Sequence, residues 1–495
     1  GKKAQMSDIY GVNLNTVPGR IKPYSPKPNF YAFFIALGIA LLKDNGKLCF
    51  IIPQTVLTAG DLDVLRYHLA KFTTIEKIIT FSGKMFIGRG LKQNKPVATS
   101  SLIFVISREL PSTLNSVEVI NYKDPNDSVE ETLNNILTGK KISKKRILQN
   151  LLFQNVANWN FIKQNKEYLD FYYRYKINSI DISSFRTQLK PGEDFSFDGG
   201  VIIDKTKLTT KYDDFEVFDY KKNNWNFYSV NKSRIYYSKG SPLSFPPGSQ
   251  GLPTFLKKFK IIWRTKYANR FQFTDRLILL ISNQSLTVSS NSKNELLFYL
   301  SLLNSPISKI ILNKNLKQEN ERNYLVPLKA IKSLIRVPVV NENNQHIKDE
   351  IVERTGELLA LEKYTLSNFV EFSKIMLQKI DNVSVKDDSL LLENDSKITK
   401  LPVKENAKLV KKIIEEKYKS EKLNLDEHKI DMLELKELPV VDFERQITLK
   451  NYIDDLVFVL YFNIPLENLG INKAEVIKAI CSKSPYYKLA SEEKQ

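Results

Sequence analysis

The stretch NFYAFFIALGIALLKDNGKLCFIIPQTVL (residues 29–57), followed by IEKIITF (75–81), GKMFIGRG (83–90) and SSLIFVISR (100–108), decides how the chain is read. Phe33, Phe34, Leu37, Ala40 and Leu41 recur at helical spacing and mark one apolar face of a helix. Asp44-Asn45-Gly46 stops it. Lys47 to Ile52 is a short apolar run closed by Pro53, the pattern of a strand covered on both faces. Arg66 to Lys71 reads as the end of a second helix, Ile75 to Phe81 as a second strand and Ser101 to Ile106 as a third. Helix and strand alternating at this spacing predict an α/β sheet with crossovers.

This stretch resembles the second half of the catalytic domain of adenine-N6 DNA methyltransferases of restriction-modification type, those with a target recognition domain at the C-terminus. The resemblance is carried by Asn29, Tyr31 and Phe34 in an Asn-x-Tyr-x-x-Phe helix, by Leu41-Leu42-Lys43 and Gly46, and by Ile51 to Pro53. Leu65-Arg66, the strand end at Phe81 and the Met85-Phe86 loop continue it. It implies part of a Rossmann-like methyltransferase sheet, S-adenosylmethionine as cofactor and double-stranded DNA as partner, with no metal. It places Asn29, Tyr31 and Phe34 at the cofactor pocket and Phe86 against the face of a flipped adenine. The family's Gly-rich cofactor turn and catalytic Asn/Asp-Pro-Pro-Tyr/Phe do not occur in this sequence. They are expected upstream of residue 1 or on a partner chain, so that this chain is part of a larger enzyme.

A length of 495 residues suggests about two to four domains, and 42% hydrophobic residues suffice for sizeable cores. No apolar run reaches the ~18 residues of a membrane helix, and the start lacks a signal-peptide pattern. The two cysteines, Cys49 and Cys481, suit neither a disulfide framework nor a metal knuckle, and a reducing cytoplasm fits them. Cys49, inside the first strand, reads as a small apolar residue. His68, His346 and His428 are scattered and form no metal spacing. Lys and Arg total 74 against 55 acidic residues, a net of +19. Such a chain fits a polyanion partner, and a lysine-rich coding bias accounts for the excess equally well.

The basic, glycine-bearing loop with Lys84, Arg89, Lys92 and Lys95 suits phosphate contact beside the base pocket. Val117 to Tyr122 reads as an edge strand, 127–150 as helix, and Leu152 to Lys163 with Trp159 as the close of the domain. From 208 to 340, aromatics interleave with cations, and Arg234, Lys239, Lys258, Arg264, Lys266 and Arg270 are candidate DNA contacts. More than half of those aromatics are expected in a core. Residues 331–340 match the family's strand before a long helix, expected at 347–380. Residues 382–438 read as a solvated helix or mobile insertion. The helix 450–463 is expected to pair with the 347–380 helix through Ile453, Leu456, Val457, Leu460 and Tyr461. Ser484-Pro485-Tyr486-Tyr487 lacks the second proline of a catalytic loop and is discounted.

The domains expected are a catalytic half (1–120), a connector (121–178), a mixed α/β target recognition domain (179–340), and its helical part (341–495). Three functions follow: part of an adenine methyltransferase, a DNA-binding specificity subunit without catalysis, or the methyltransferase part of a bifunctional restriction enzyme.

Overall fold

A computed structural model describes residues 30–59, 62–81, 100–122, 127–209, 215–218, 228–230, 235–238, 240–246, 248–266, 270–282, 284–316, 325–372, 379–395, 397–419 and 429–492. Two compact units divide the chain: Gly1–Tyr173 with Ile310–Leu334, and Arg174–Lys309 with Ile335–Gln495.

The first unit is built on α1 (Phe30–Leu41), β1 (Lys47–Pro53), α2 (Asp63–Phe72), β2 (Thr74–Phe81), β3 (Ser101–Ser107), β4 (Ser116–Tyr122), α3 (Val129–Leu137), β5 (Ile142–Leu148) and α4 (Gln149–Gln154). The strands form one sheet in the order β1-β3-β2-β4-β5. Strands β1 and β2 both run antiparallel to the β3 between them, so they are parallel to each other, and β4 is parallel to β2. The expected α/β sheet is present, and it is mixed, since β3 and β5 run against the rest.

Four expectations are corrected here. Ala32, Ile35 and Ala36 are the buried residues of α1, while Phe34 and Leu41 are exposed. The helix is apolar all round, so periodicity alone did not pick its inner face. Strand β1 is not covered on both faces: Leu48, Phe50 and Ile52 face α1 and the core, and Cys49 and Ile51 are exposed. Gly38 makes that packing possible, since a Cβ there would meet Leu48 Cδ1 at 2.9 Å. Strand β4 is no edge; β2 and β5 flank it. Residues 127–150 hold the capped helix α3, with its Ser128–Glu131 capping box, and then strand β5.

One core joins α1, α2, Ile75, Ile78, Phe104 and Val119 to the fully buried Trp159. Arg66, also fully buried, donates from Nη1 to the Val56 carbonyl (2.7 Å), from Nε to Val156 (2.5 Å) and from Nη2 to Ala157 (2.9 Å). These bonds fasten the segment before Trp159 to α2 and to the turn that follows β1.

The second unit contains an antiparallel sheet, β8-β7-β9-β6, from β6 (Ser196–Asp198), β7 (Phe259–Arg264), β8 (Gln272–Thr274) and β9 (Ser285–Ser290). Tyr228, Tyr236, Tyr237, Trp263 and Phe271 are buried, as expected for core aromatics. Helix α5 (Lys293–Asn304) packs with α6 (Gln345–Leu361) and α8 (Phe443–Phe462). The expected pairing of the last two is present, and Ile453, Leu456, Val457, Leu460 and Tyr461 are all buried. Helix α6 ends at Leu361 instead of continuing to 380, and residues 328–334 are helix, with only Val337–Pro338 as strand.

The largest correction concerns 382–438. It contains an antiparallel sheet of β10 (Asn382–Lys386), β11 (Ser389–Asn394) and β12 (Lys397–Pro402), followed by α7 (Ala407–Lys419). Val383, Val385, Leu390, Leu392, Val410 and Ile414 bury a core of their own with Leu366, Phe369 and Met432. Among the described residues, no single helix is long and apolar enough to cross a membrane.

Candidate ligand-binding rim of the first unit

In open α/β sheets ligands bind outside the carboxyl ends of the parallel strands. Here those ends are Pro53, Phe81 and Tyr122, and the antiparallel β3 begins beside them at Ser101. Tyr31 lies at this rim, its hydroxyl 3.1 Å from Thr55 Oγ1. Helix α1 therefore starts at the rim and runs back along β1. At its other end the Arg108 guanidinium, beyond β3, reaches the Ala40 and Leu42 carbonyls.

Gln54, 8% exposed, is the central polar group. Its amide donates to the Phe81 carbonyl (2.7 Å) and the Ser101 carbonyl (2.8 Å). On β2 and β4, Thr80 Oγ1 donates to Asn121 Oδ1 at 2.6 Å. Beyond β4, the Asp127 carboxylate takes Lys141 Nζ at 2.8 Å, the Tyr122 hydroxyl and Asn135 Nδ2 at 2.9 Å. The hydrogen bond from Lys141 is the main cause holding the Asp127 carboxyl below its ordinary value, followed by that from Tyr122.

Of the expected cofactor residues, Tyr31 sits at the rim. Phe34, one turn further along α1, is 58% exposed and presents an open aromatic face. With Phe30, Leu37 and Leu41 it forms a stripe at spacings of four, three and four residues. Asn29, Phe86, Lys84, Arg89, Lys92 and Lys95 lie outside the described residues, as do Arg234 and Lys239 in the second unit. Sequence reading passed over Gln54. The only local signal was a polar residue directly after the apolar run ending at Pro53.

The remaining DNA-contact candidates belong to the second unit. Lys258 and Lys266 are exposed and make no ion pair among the described residues, while Arg264 and Arg270 are half-buried. Arg264, Lys266 and Arg270 gather at the β7–β8 connection. Lys258 precedes β7 and stands at its opposite end, about 20 Å away for six residues of strand. Lys260 is not available to a ligand. It is 1% exposed, donates to the Lys257 and Arg276 carbonyls, and burial pulls its pKa down to about 8. Residues 364–441 carry 14 lysines against 15 carboxylates, so the chain's excess of +19 lies outside that module. Tyr487, from the discounted Ser484–Tyr487 run, donates its hydroxyl to Asp455 at 2.7 Å.

Several solved structures resemble the chain. The Type IIL restriction-modification enzyme MmeI in complex with DNA is 12% identical, with a TM-score of 0.39 over 93% of this chain and 52% of that one. The DrdV–DNA complex is 13% identical, with a TM-score of 0.37 over 92% and 52%. The type IIG restriction endonuclease BpuSI is 14% identical, with a TM-score of 0.26 over 66% and 44%. The chain thus spans about half the length of these proteins or less. No curated protein matches it. The described elements that build the rim, α1, β1, α2 and β2, lie within the match of residues 13–86 to the Eco57I restriction-modification methylase family.

Proposed function

We propose that the chain is the base-pocket and DNA-recognition part of a restriction-modification enzyme that methylates the N6 amine of adenine in double-stranded DNA. The observation that carries this reading is the coincidence of the family match at 13–86 with the residues around the carboxyl rim.

S-adenosylmethionine supplies the electrophilic methyl group when bound. The exposed Phe34 ring and the Tyr31–Thr55 pair fit an adenosine-bearing ligand, one offering a stacking face and the other polar contacts. The target base must leave the duplex to be reached, and Phe86 holds its face by stacking. Lys84, Arg89, Lys92 and Lys95 contact phosphates beside the pocket. In the second unit Arg234, Lys239, Lys258, Arg264, Lys266 and Arg270 grip the backbone and read bases. The Gly-rich turn and the Asn/Asp-Pro-Pro-Tyr/Phe loop come from an upstream segment or a partner chain. That segment has a place to join: among the described residues β1 is an edge strand, with Cys49 and Ile51 exposed on the face away from α1. The enzyme works in the cytoplasm, where its DNA is.

Sequencing DNA exposed to the complete enzyme, with base-resolved methylation detection, tests the reading. N6-methyladenine within one short sequence is expected. In the same enzyme Phe86→Ala should lower methylation with little effect on folding, and unchanged activity would refute the pocket assignment. DNA binding without methylation by the complete enzyme would favour the specificity-subunit reading. Cleavage would identify a bifunctional enzyme.

A further inference from the structure

Two buried glutamines stitch opposite rims of the five-stranded sheet, and their bonding differs in one respect. Gln149 is saturated. Its Nε2 donates to the Ala70 (2.8 Å) and Thr73 (2.7 Å) carbonyls, and its Oε1 accepts from Ile75 N (2.8 Å) and Asn115 Nδ2 (2.7 Å). All four partners belong to the amino end of β2 and its surroundings, away from the carboxyl rim.

Gln54 uses only its donors. Both amide protons go to the Phe81 and Ser101 carbonyls, and its backbone N–H goes to the Ser100 carbonyl at 2.8 Å. Two carbonyl partners fix which end of the amide is nitrogen, because neither can donate. Its Oε1 is then the end without a hydrogen-bond partner among the described residues. The side chain is 8% exposed, yet this oxygen is not itself buried: it opens to solvent at the rim, where an N–H donor can reach it.

The geometry points to Gln54 as the positioning residue of the rim. It ties the end of β2 to the start of β3 across the place where the strands open toward a ligand, and leaves its carbonyl for an N–H donor such as an exocyclic amine. This rests on the methyltransferase reading above. Gln149 holds the same sheet together at the other rim and has no part in the reaction.

The test compares Gln54→Met and Gln149→Met in the complete enzyme with S-adenosylmethionine and target DNA. Both variants lose two amide donors, and Gln149→Met also strands the Ile75 N–H and Asn115 Nδ2, so it should lose at least as much thermal stability as Gln54→Met. Gln54→Met should lower kcat about 100-fold, the scale of a misplaced reacting group, with KM for both substrates within about twofold. Gln149→Met should keep kcat. Gln54→Asn, which keeps an amide but draws it back by one methylene, should fall between Gln54→Met and the wild type. It also serves if Gln54→Met does not fold. Wild-type kcat in either folded Gln54 variant, or an equal loss in Gln149→Met, overturns the assignment. A complete wild-type enzyme that methylates nothing overturns the methyltransferase reading instead.

Discussion

Replacing Arg66 with Met tests how the rim is held from behind. Methionine keeps much of the aliphatic stem and removes the guanidinium. Three carbonyls then lose their donors: Val56 in the turn after β1, and Val156 and Ala157 ahead of Trp159. A hydrogen bond from a charged donor is worth about 1.5–3 kcal/mol, and three give roughly 4–9 kcal/mol in total. Relief from desolvating a fully buried cation returns several kcal/mol of this. The expected net loss is about 3 kcal/mol. With an m value of about 2 kcal/mol/M, the urea midpoint of the first unit should fall by about 1.5 M. Near-ultraviolet circular dichroism, which follows the Trp159 environment, is the assay. A shift of less than about 0.5 M would mean that the carbonyls find water or other donors, and that Arg66 is not the fastening described. Because Val56 lies two residues from Gln54, the same variant should lower kcat in the complete enzyme even under conditions where it stays folded.

Further outcomes concern the second unit. Lys260, pulled down to about 8 from 10.5, binds fewer protons folded than unfolded between those values, so its contribution to stability rises with pH across that window. The urea stability of wild type relative to Lys260→Met should therefore rise by about 2 kcal/mol between pH 8 and 9.5, and a flat difference would contradict the burial of the ammonium. Gly200 has φ +90°, and a Cβ there would lie 2.8 Å from the Leu280 carbonyl oxygen, so Gly200→Ala should destabilise by more than about 2 kcal/mol in denaturant titration. Lys258→Ala and Lys266→Ala should each make the slope of log K against log salt for DNA binding shallower by about one, with target preference unchanged.

Three strands of the first unit were legible because each is a short apolar run with turn residues at its ends, and Lys47–Pro53, Thr74–Phe81 and Ser101–Ser107 lie within a residue or two of the expected limits. What failed did so for identifiable reasons. Ile142 to Leu148 places Lys144, Lys145 and Arg146 in succession, which hides a strand, while the capping box just upstream advertises a helix. Lys145 reconciles the two by sending Nζ to the Gln164 carbonyl, half-buried, its pKa brought down to about 8 by desolvation. In 382–402 the alternation of Val383 and Val385 and of Leu390 and Leu392 was present, but the many charges on the outer face outweighed it. The candidate site was legible as an aromatic helix with a strand end. The role of Gln54 was not, because its partners lie 27 and 47 residues away.

The module with its own core between α6 and α8 begins and ends at one point. Leu366 N bonds the Leu438 carbonyl at 2.9 Å, and Val440 N bonds the Tyr364 carbonyl at 3.0 Å. Such a doorway lets a cassette enter a gene without disturbing what surrounds it. Excision of 366–438 with a short Gly-Ser bridge should leave α6 and α8 paired. The same junction should accept a foreign domain whose termini lie equally close, so the gap between these helices is where variants of this protein can gain or lose a whole appendage in one step.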